Sequence, residues 1–250
     1  MSIHIKTEDE LVKMRAAGNV VGRLLVELRG RVKPGVSTGD LDKFARAFIE
    51  AQGAIPTFLG YHGYKACICA SVNEEVVHGI PGPRVLVEGD IVGVDVGATL
   101  DGFVGDAART FPVGKISDAA KRLLDVTRES LNLGIAAARH NGHVQDIGAA
   151  VQAYSEAKGF SVVRDFVGHG IGRNMHEDPQ VPNYGRHGLG PKLKAGMTLA
   201  IEPMLNAGDL AVDVLQDGWT VVTRDRSLSA HFEDTLIVTP DRAEILTRLD

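Results

Sequence analysis

Cysteine is almost missing from this 250-residue sequence, and so is any long hydrophobic run. Cys67 and Cys69 are the only cysteines. They lie two apart in "ACICASV", so on a strand they share a face and are poorly placed to bridge each other. Reduced thiols are expected, and a zinc ribbon is excluded because it needs a second cysteine pair. No stretch approaches the eighteen apolar residues of a membrane span. The start, "MSIHIKTEDELVK", is acidic and amphipathic where a signal peptide would be continuously apolar. A cytoplasmic protein without a membrane partner is the expectation. Basic residues are also short of a majority: 27 Lys and Arg face 32 Asp and Glu, a net charge of −5. A phosphate-binding surface needs a concentrated basic face, so no direct nucleic-acid site is expected. Nothing resembles a Pro/Ser-rich linker, and the length suits one large core, so residues 1–250 are read as a single domain.

The chain is rich in amphipathic helix signals. "TEDELVKMRAAGNVVGRLLVELRGRVKPG" opens with Thr7 and Glu10 in capping-box spacing and carries Leu11, Met14, Val21, Leu24, Leu25 and Leu28 at helical intervals before Pro34-Gly35. "STGDLDKFARAFIEAQG" repeats the logic and stops at Gly53. Residues 117–140 and 145–158 form a second helical pair. Each pair is followed by strands, "KACICASV" and "DIVGVDVGATLDGFVGDAARTF" after the first, "LAIEPMLN" and "WTVVTRDRSLSAHFEDTLIVTP" after the second. This order implies an α+β fold of two similar halves, with a mainly antiparallel sheet.

In "DIVGVDVGATLDGFVGDAARTF", Asp101-Gly102 is a two-residue hairpin turn. Closing it with Leu100 opposite Phe103 sets Asp95 against Ala108 and Asp106 against Gly97. The two aspartates are then diagonal neighbours on one face, about 7–8 Å apart at Cα. An isolated strand aspartate is usually solvated. Asp95, however, sits inside "IVGVDVGA", and two buried carboxylates on one face repel unless a cation neutralises them. Glu202 in "TLAIEPML" and Glu233 in "LSAHFEDTLIV" are again carboxylates within apolar strands. "FVGHGIGRNMHEDPQVPNYG" adds His169, with Pro179 and Pro182 expected to stop any regular element and Gly168, Gly170 and Gly172 expected to let the backbone turn tightly. Four carboxylates and one imidazole suit two divalent cations such as cobalt, manganese, iron or zinc, the pattern of a dinuclear hydrolase. A dinucleotide reading of "GHGIG" fails on its G-x-G-x-G spacing and on the absence of a following helix.

The motifs "SVNEEVVHGIPG", "DIVGVDV", "DGFVGDAARTF", "GHGIGRNMHEDPQV", "GMTLAIEPML" and "DGWTVVTRDRSLSAHFEDT" span nearly the whole chain, which resembles the type I methionine aminopeptidases. That resemblance implies the pita-bread fold, with its curved, pseudo-two-fold antiparallel sheet covered by helices. It implies that Asp95 chelates one metal ion, that Asp106 and Glu233 bridge both, and that His169 and Glu202 complete the other. By the same likeness His78 contacts the scissile peptide, His176 binds the substrate carbonyl and its developing oxyanion, and Glu202 shuttles the proton from an attacking water that bridges the metals to the leaving amine. A methionine slot would be lined by Phe58, Tyr61, Tyr64, Cys69, Met175 and Trp219. Val77 stands where relatives often have cysteine, which alters one wall beside His78.

The implied substrate is the N-terminal methionine of nascent polypeptides. The zinc-binding N-terminal extension of some relatives is not expected, so ribosome contact would fall to the folded surface. A monovalent cation near Asn73 and Ser229 occurs in relatives, and a monomer is expected. Two rival readings share the fold. An Xaa-Pro peptidase would carry a further N-terminal domain, and a catalytically inactive binding relative would have lost ligands that are all present here.

Overall fold

The computed structural model describes residues 3–249. Helix α1 (Glu8–Arg29) begins with the expected capping box: Thr7 Oγ1 accepts from the Glu10 N–H and the Glu10 carboxylate accepts from the Thr7 N–H. Helix α2 (Thr38–Ala51) uses the same device, with Ser37 and Asp40. Capping satisfies backbone donors that have no partner in the first helical turn. The apolar stripe of α1 is buried at all six positions given by its periodicity. The second pair is α3 (Asp118–Ala137), capped by Ser117, and α4 (Val144–Ala157).

Between the pairs run β1 (Ile55–Pro56), β2 (Ile68–Val72), β3 (Glu75–Val77), β4 (Ile91–Leu100) and β5 (Phe103–Pro112). After α4 come β6 (Ser161–Val162), β7 (Gly168–Gly170), β8 (Glu177–Val181), β9 (Thr198–Ile201) and β10 (Met204–Asn206). The chain ends with β11 (Val212–Val214), β12 (Val221–Thr223), β13 (Ser229–His231), β14 (Asp234–Val238) and β15 (Ala243–Ile245). Every strand pairing among the described residues is antiparallel. Among the described residues, hydrogen bonding divides the strands into four sheets, the largest ordered β15-β14-β9-β7-β8.

The β4–β5 hairpin has the register that its Asp101-Gly102 turn requires, with Asp95 opposite Ala108 and Asp106 opposite Gly97. Two expectations need correction. Pro179 does not end regular structure; it lies within β8, an edge strand, where a residue without an N–H leaves no ladder bond unmade. Gly168 and Gly170 of "GHGIG" do not turn the chain either, although Gly172 lies in the bend that follows. These two lie in the extended strand β7, and a Cβ on Gly168 would strike the Ala200 carbonyl, one on Gly170 the Asp178 carbonyl. What is needed there is close approach of neighbouring backbones rather than a positive φ.

The core has two main clusters that mirror the two halves. One joins α1 and α2 to β2, β4 and β5 through residues such as Leu24, Ile49, Ile68 and Val94. The other joins α3 and α4 to β9, β10 and β14 through Leu123, Ile147, Leu199, Leu205 and Leu236. A smaller cluster, including Phe58, Tyr64, Cys69, Ile171 and Met175, draws on residues of both halves. The site described next opens beside this third cluster.

Candidate active site

A cavity of about 340 Å³ is bordered by Asp95, Asp106, His169, Glu202 and Glu233 together. Asp95 and Asp106 come from the hairpin of the first half. His169 sits in β7, Glu202 just beyond β9, and Glu233 between β13 and β14, all in the second half. Strand β9 joins these last elements by pairing with β7 at His169↔Ala200 and with β14 at Asp234↔Ile201. Candidate ligand atoms of Asp106, His169 and Glu233 all lie within 4.8 Å of one another. His169 Nε2 is 3.9 Å from Asp106 Oδ2 and 3.6 Å from Glu202 Oε1.

Four carboxylates share this buried floor without a Lys or Arg among the residues lining it. Burial pushes Asp95 up to about 7. Burial also drives Asp106, Glu202 and Glu233 well above the ordinary carboxylate range, and the neighbouring carboxylates push the same way. Asp95 Oδ1, Asp106 Oδ1 and Glu233 Oε1 are buried with no hydrogen-bond partner. Unpaired buried oxygens are costly, and converging ones fit a group that supplies positive charge. Hard oxygen donors with one imidazole are a donor set for divalent metal ions.

His78 and His176 stand over the floor and line the same cavity. His78 directly follows β3 and has a φ of 62°, a left-handed conformation that costs a non-glycine residue about 1–2 kcal/mol. Its ring meets Phe166 and Trp219 edge to face. Burial, and secondarily His176, holds its pKa down at about 4. The His176 ring centroid is 4.3 Å from that of His169, and Tyr61 Oη lies 2.6 Å from His176 Nδ1. Although His176 reaches solvent at the rim, desolvation of its inner side and the proximity of His62 lower its pKa.

The apolar wall holds Phe58, Tyr61, Tyr64, Cys69, Met175 and Trp219. Gly97 on β4 makes room for it, since a Cβ there would lie 2.5 Å from Phe58 Cε1. Tyr64 donates to the Ile68 and Gly79 carbonyls and meets Trp219 edge to face, so its ring is fixed from both ends.

Sequence reading missed four contributors. His62, Phe166 and Val167 also line the cavity. His231 lies beneath it, with Nε2 3.9 Å from both Glu202 and Glu233 and its pKa lowered to about 3, chiefly by burial. The period-two spacing of His231 from Glu233 was the available signal for His231.

A buried acidic floor with an imidazole beside a pocket is the donor set of a divalent-metal enzyme, and the chain belongs to metallopeptidase family M24, whose pattern matches residues 12–240. Its similarity is to methionine aminopeptidases in particular. Methionine aminopeptidase 1 of Bacillus subtilis (strain 168) is 54% identical over 244 residues, covering 98% of each chain. The crystal structure of methionine aminopeptidase from Thermotoga maritima superposes with a TM-score of 0.98 at 48% identity, covering 99% of this chain and 100% of that one. That from Rickettsia prowazekii gives 0.97 at 46% identity, with 98% and 100% covered. The pita-bread architecture extends to an Xaa-Pro dipeptidase from Bacillus anthracis, with a TM-score of 0.80 at 24% identity. There the match covers 98% of this chain but only 62% of the dipeptidase.

Proposed function

We propose that this chain is a metal-dependent methionine aminopeptidase that removes the N-terminal methionine from nascent polypeptides. The observation that carries the reading is the meeting of two surfaces in one cavity. An apolar slot containing a thioether and four aromatic rings opens onto a floor of carboxylates with unpartnered oxygens. Flexible thioether side chains pack well against aromatic rings and sulfur. The methionine side chain occupies the slot, which brings its own carbonyl over the floor.

Asp95, Asp106, His169, Glu202 and Glu233 would hold a pair of divalent ions, with Asp106 and Glu233 the residues that would serve both. When bound, such ions polarise the scissile carbonyl and make a water nucleophilic near neutral pH. The remaining steps belong to the protein. Glu202 accepts the water's proton and delivers it to the leaving amine. Tyr61 keeps its phenolic proton, because burial and the Asp106 charge raise its pKa, and donates it to His176 Nδ1. That fixes the His176 proton on Nε2, where it can be donated to the carbonyl oxygen as negative charge develops. His78, neutral at physiological pH, orients the scissile peptide.

The identity of the divalent ions is left to cellular supply, since cobalt, manganese, iron and zinc all accept this donor set. A monovalent cation near Asn73 and Ser229 belongs to the same proposal; the Ser229 N–H donates to the Asn73 carbonyl, so the two segments adjoin. No helix among the described residues is long and apolar enough to cross a membrane. Work in the cytoplasm on chains emerging from ribosomes, as a monomer, suits this reading.

The test is to strip the protein with a chelator, restore manganese or cobalt, and compare Met-Ala-Ser with an Ala-Pro peptide. Methionine release only after metal return is expected. Preference for the Ala-Pro peptide would replace the assignment with an Xaa-Pro peptidase, and failure to take up metal would point to an inactive relative.

A further inference from the structure

Glu233 is followed by a second buried acid whose surroundings are entirely different. Asp234 accepts at Oδ1 from Arg109 Nη2, 2.5 Å away, and from Thr247 Oγ1, 2.8 Å away. Its Oδ2 accepts from Arg248 Nε at 2.7 Å. Arg109 has a further task. Its Nη1 donates to the Glu233 carbonyl and to the Ala108 carbonyl, the latter at 2.8 Å. Ala108 is the residue opposite Asp95 in the hairpin, and its carbonyl also accepts from the Glu233 N–H at 2.9 Å. One guanidinium therefore grips the main chain at Glu233 and at the partner of Asp95.

The same knot reaches Asp106 by another route. Thr247 Oγ1, which donates to Asp234, accepts from the Thr235 N–H. Thr235 Oγ1 donates to the Asp106 carbonyl at 2.7 Å and lies 3.1 Å from the Asp106 nitrogen, whose N–H it accepts. Side chains alternate across a strand, so Arg109 projects from the face of β5 opposite to Asp106. It borders a groove there together with Thr247 and Arg248.

We infer that Arg109, braced by Asp234 and Arg248, is a positioning residue that sets the main chain of Glu233 and Asp106 for metal binding. The inference rests on the metal-binding reading above. A planar guanidinium can donate to two carbonyls and a carboxylate at once, which an ammonium point charge cannot do with the same geometry. Groups that hold a ligand in place change metal affinity without touching the metal.

The experiment titrates metal-stripped protein with cobalt(II) alone, following heat release and the visible cobalt absorption bands, for wild type, Arg109→Met, Arg109→Lys and Arg248→Met. Arg109→Met is expected to weaken cobalt binding by roughly 10- to 100-fold, with altered band intensity or position. Arg109→Lys should recover only part of this, and Arg248→Met should give a smaller shift in the same direction. A folded Arg109→Met protein with wild-type affinity and an unchanged spectrum would overturn the inference. If Arg109→Met does not fold, Arg248→Met decides the matter. Its side chain is about one-third exposed, and wild-type binding and spectrum there would be equally fatal. Absence of cobalt binding by wild type would instead overturn the metal-binding reading itself.

Discussion

Glu233 and Asp234 are consecutive, both fully buried, and opposite in their chemistry. Asp234 is met by two guanidiniums and a threonine hydroxyl, whereas Glu233 faces other carboxylates and retains an oxygen with no partner. A buried carboxylate is tolerated when its charge is compensated. Behind the sheet the protein supplies that compensation itself; in the cavity it does not. The contrast separates a structural acid from acids arranged for a cation, and it can be broken from either side.

The largest effect is expected at the floor. Glu202→Gln should lower turnover by roughly 10²- to 10⁴-fold if Glu202 carries the proton. Elemental analysis should show that the variant still holds metal. Near-wild-type turnover in a fully metallated variant would remove the shuttle.

Stability should respond in the opposite sense at the two acids. In metal-free protein, Asp234→Ala leaves Arg109 and Arg248 without their shared carboxylate and should cost about 3 kcal/mol by urea unfolding. Asp106→Asn under the same conditions should be neutral or stabilising, because burial, and then Asp95 and Glu202, disfavour a charge at this position. Equal destabilisation by both would erase the distinction drawn here.

The pH dependence of the metal-free protein follows from the same floor. Asp95 has its pKa raised to about 7, and Asp106, Glu202 and Glu233 are also raised well above the ordinary carboxylate range, so the folded state binds more protons than the unfolded state above that range. Stability therefore falls as pH rises. Buried His78, His169 and His231 have lowered values of about 4, 4 and 3, so between those values and 6.5 they oppose this trend. Above 6.5 they are neutral in both states and the carboxylates act alone. Between pH 6.5 and 8 the melting temperature of metal-free protein should drop by about 3 °C per pH unit for each proton of difference. Bound metal should abolish the slope, and a scan with and without manganese checks it.

The smallest effect is expected at the rim. Tyr61→Phe removes the hydroxyl bonded to His176 Nδ1 but keeps the aromatic wall. It should lower kcat roughly 2- to 10-fold with little change in KM. A rise in KM alone would make Tyr61 a wall of the methionine slot and nothing more.

Features fixed by local chemistry were legible in the sequence. Thr7 and Glu10 mark the start of α1, and Asp101-Gly102 sets the whole β4–β5 register, which puts Asp95 and Asp106 on one face. Glu202 and Glu233 stood out because carboxylates are rare in apolar strands. The three-residue strand β7 was hidden, since two of its residues are glycines and its shape is set by the carbonyls of Ala200 and Asp178. His231 was overshadowed by Glu233. The Arg109–Asp234 pair joins residues 125 apart in the chain, and no local pattern announces such a partner. The specific ligand roles and the methionine slot came from family resemblance, because spacing alone does not say which side chains meet across the two halves.

The most direct test of the central claim is an anomalous-scattering map at the manganese edge from crystals grown with manganese. The account predicts two peaks, enclosed by Asp95, Asp106, His169, Glu202 and Glu233, with Asp106 and Glu233 touching both. A crystal of active enzyme with no peak among these five residues, or with its manganese bound elsewhere, would contradict it.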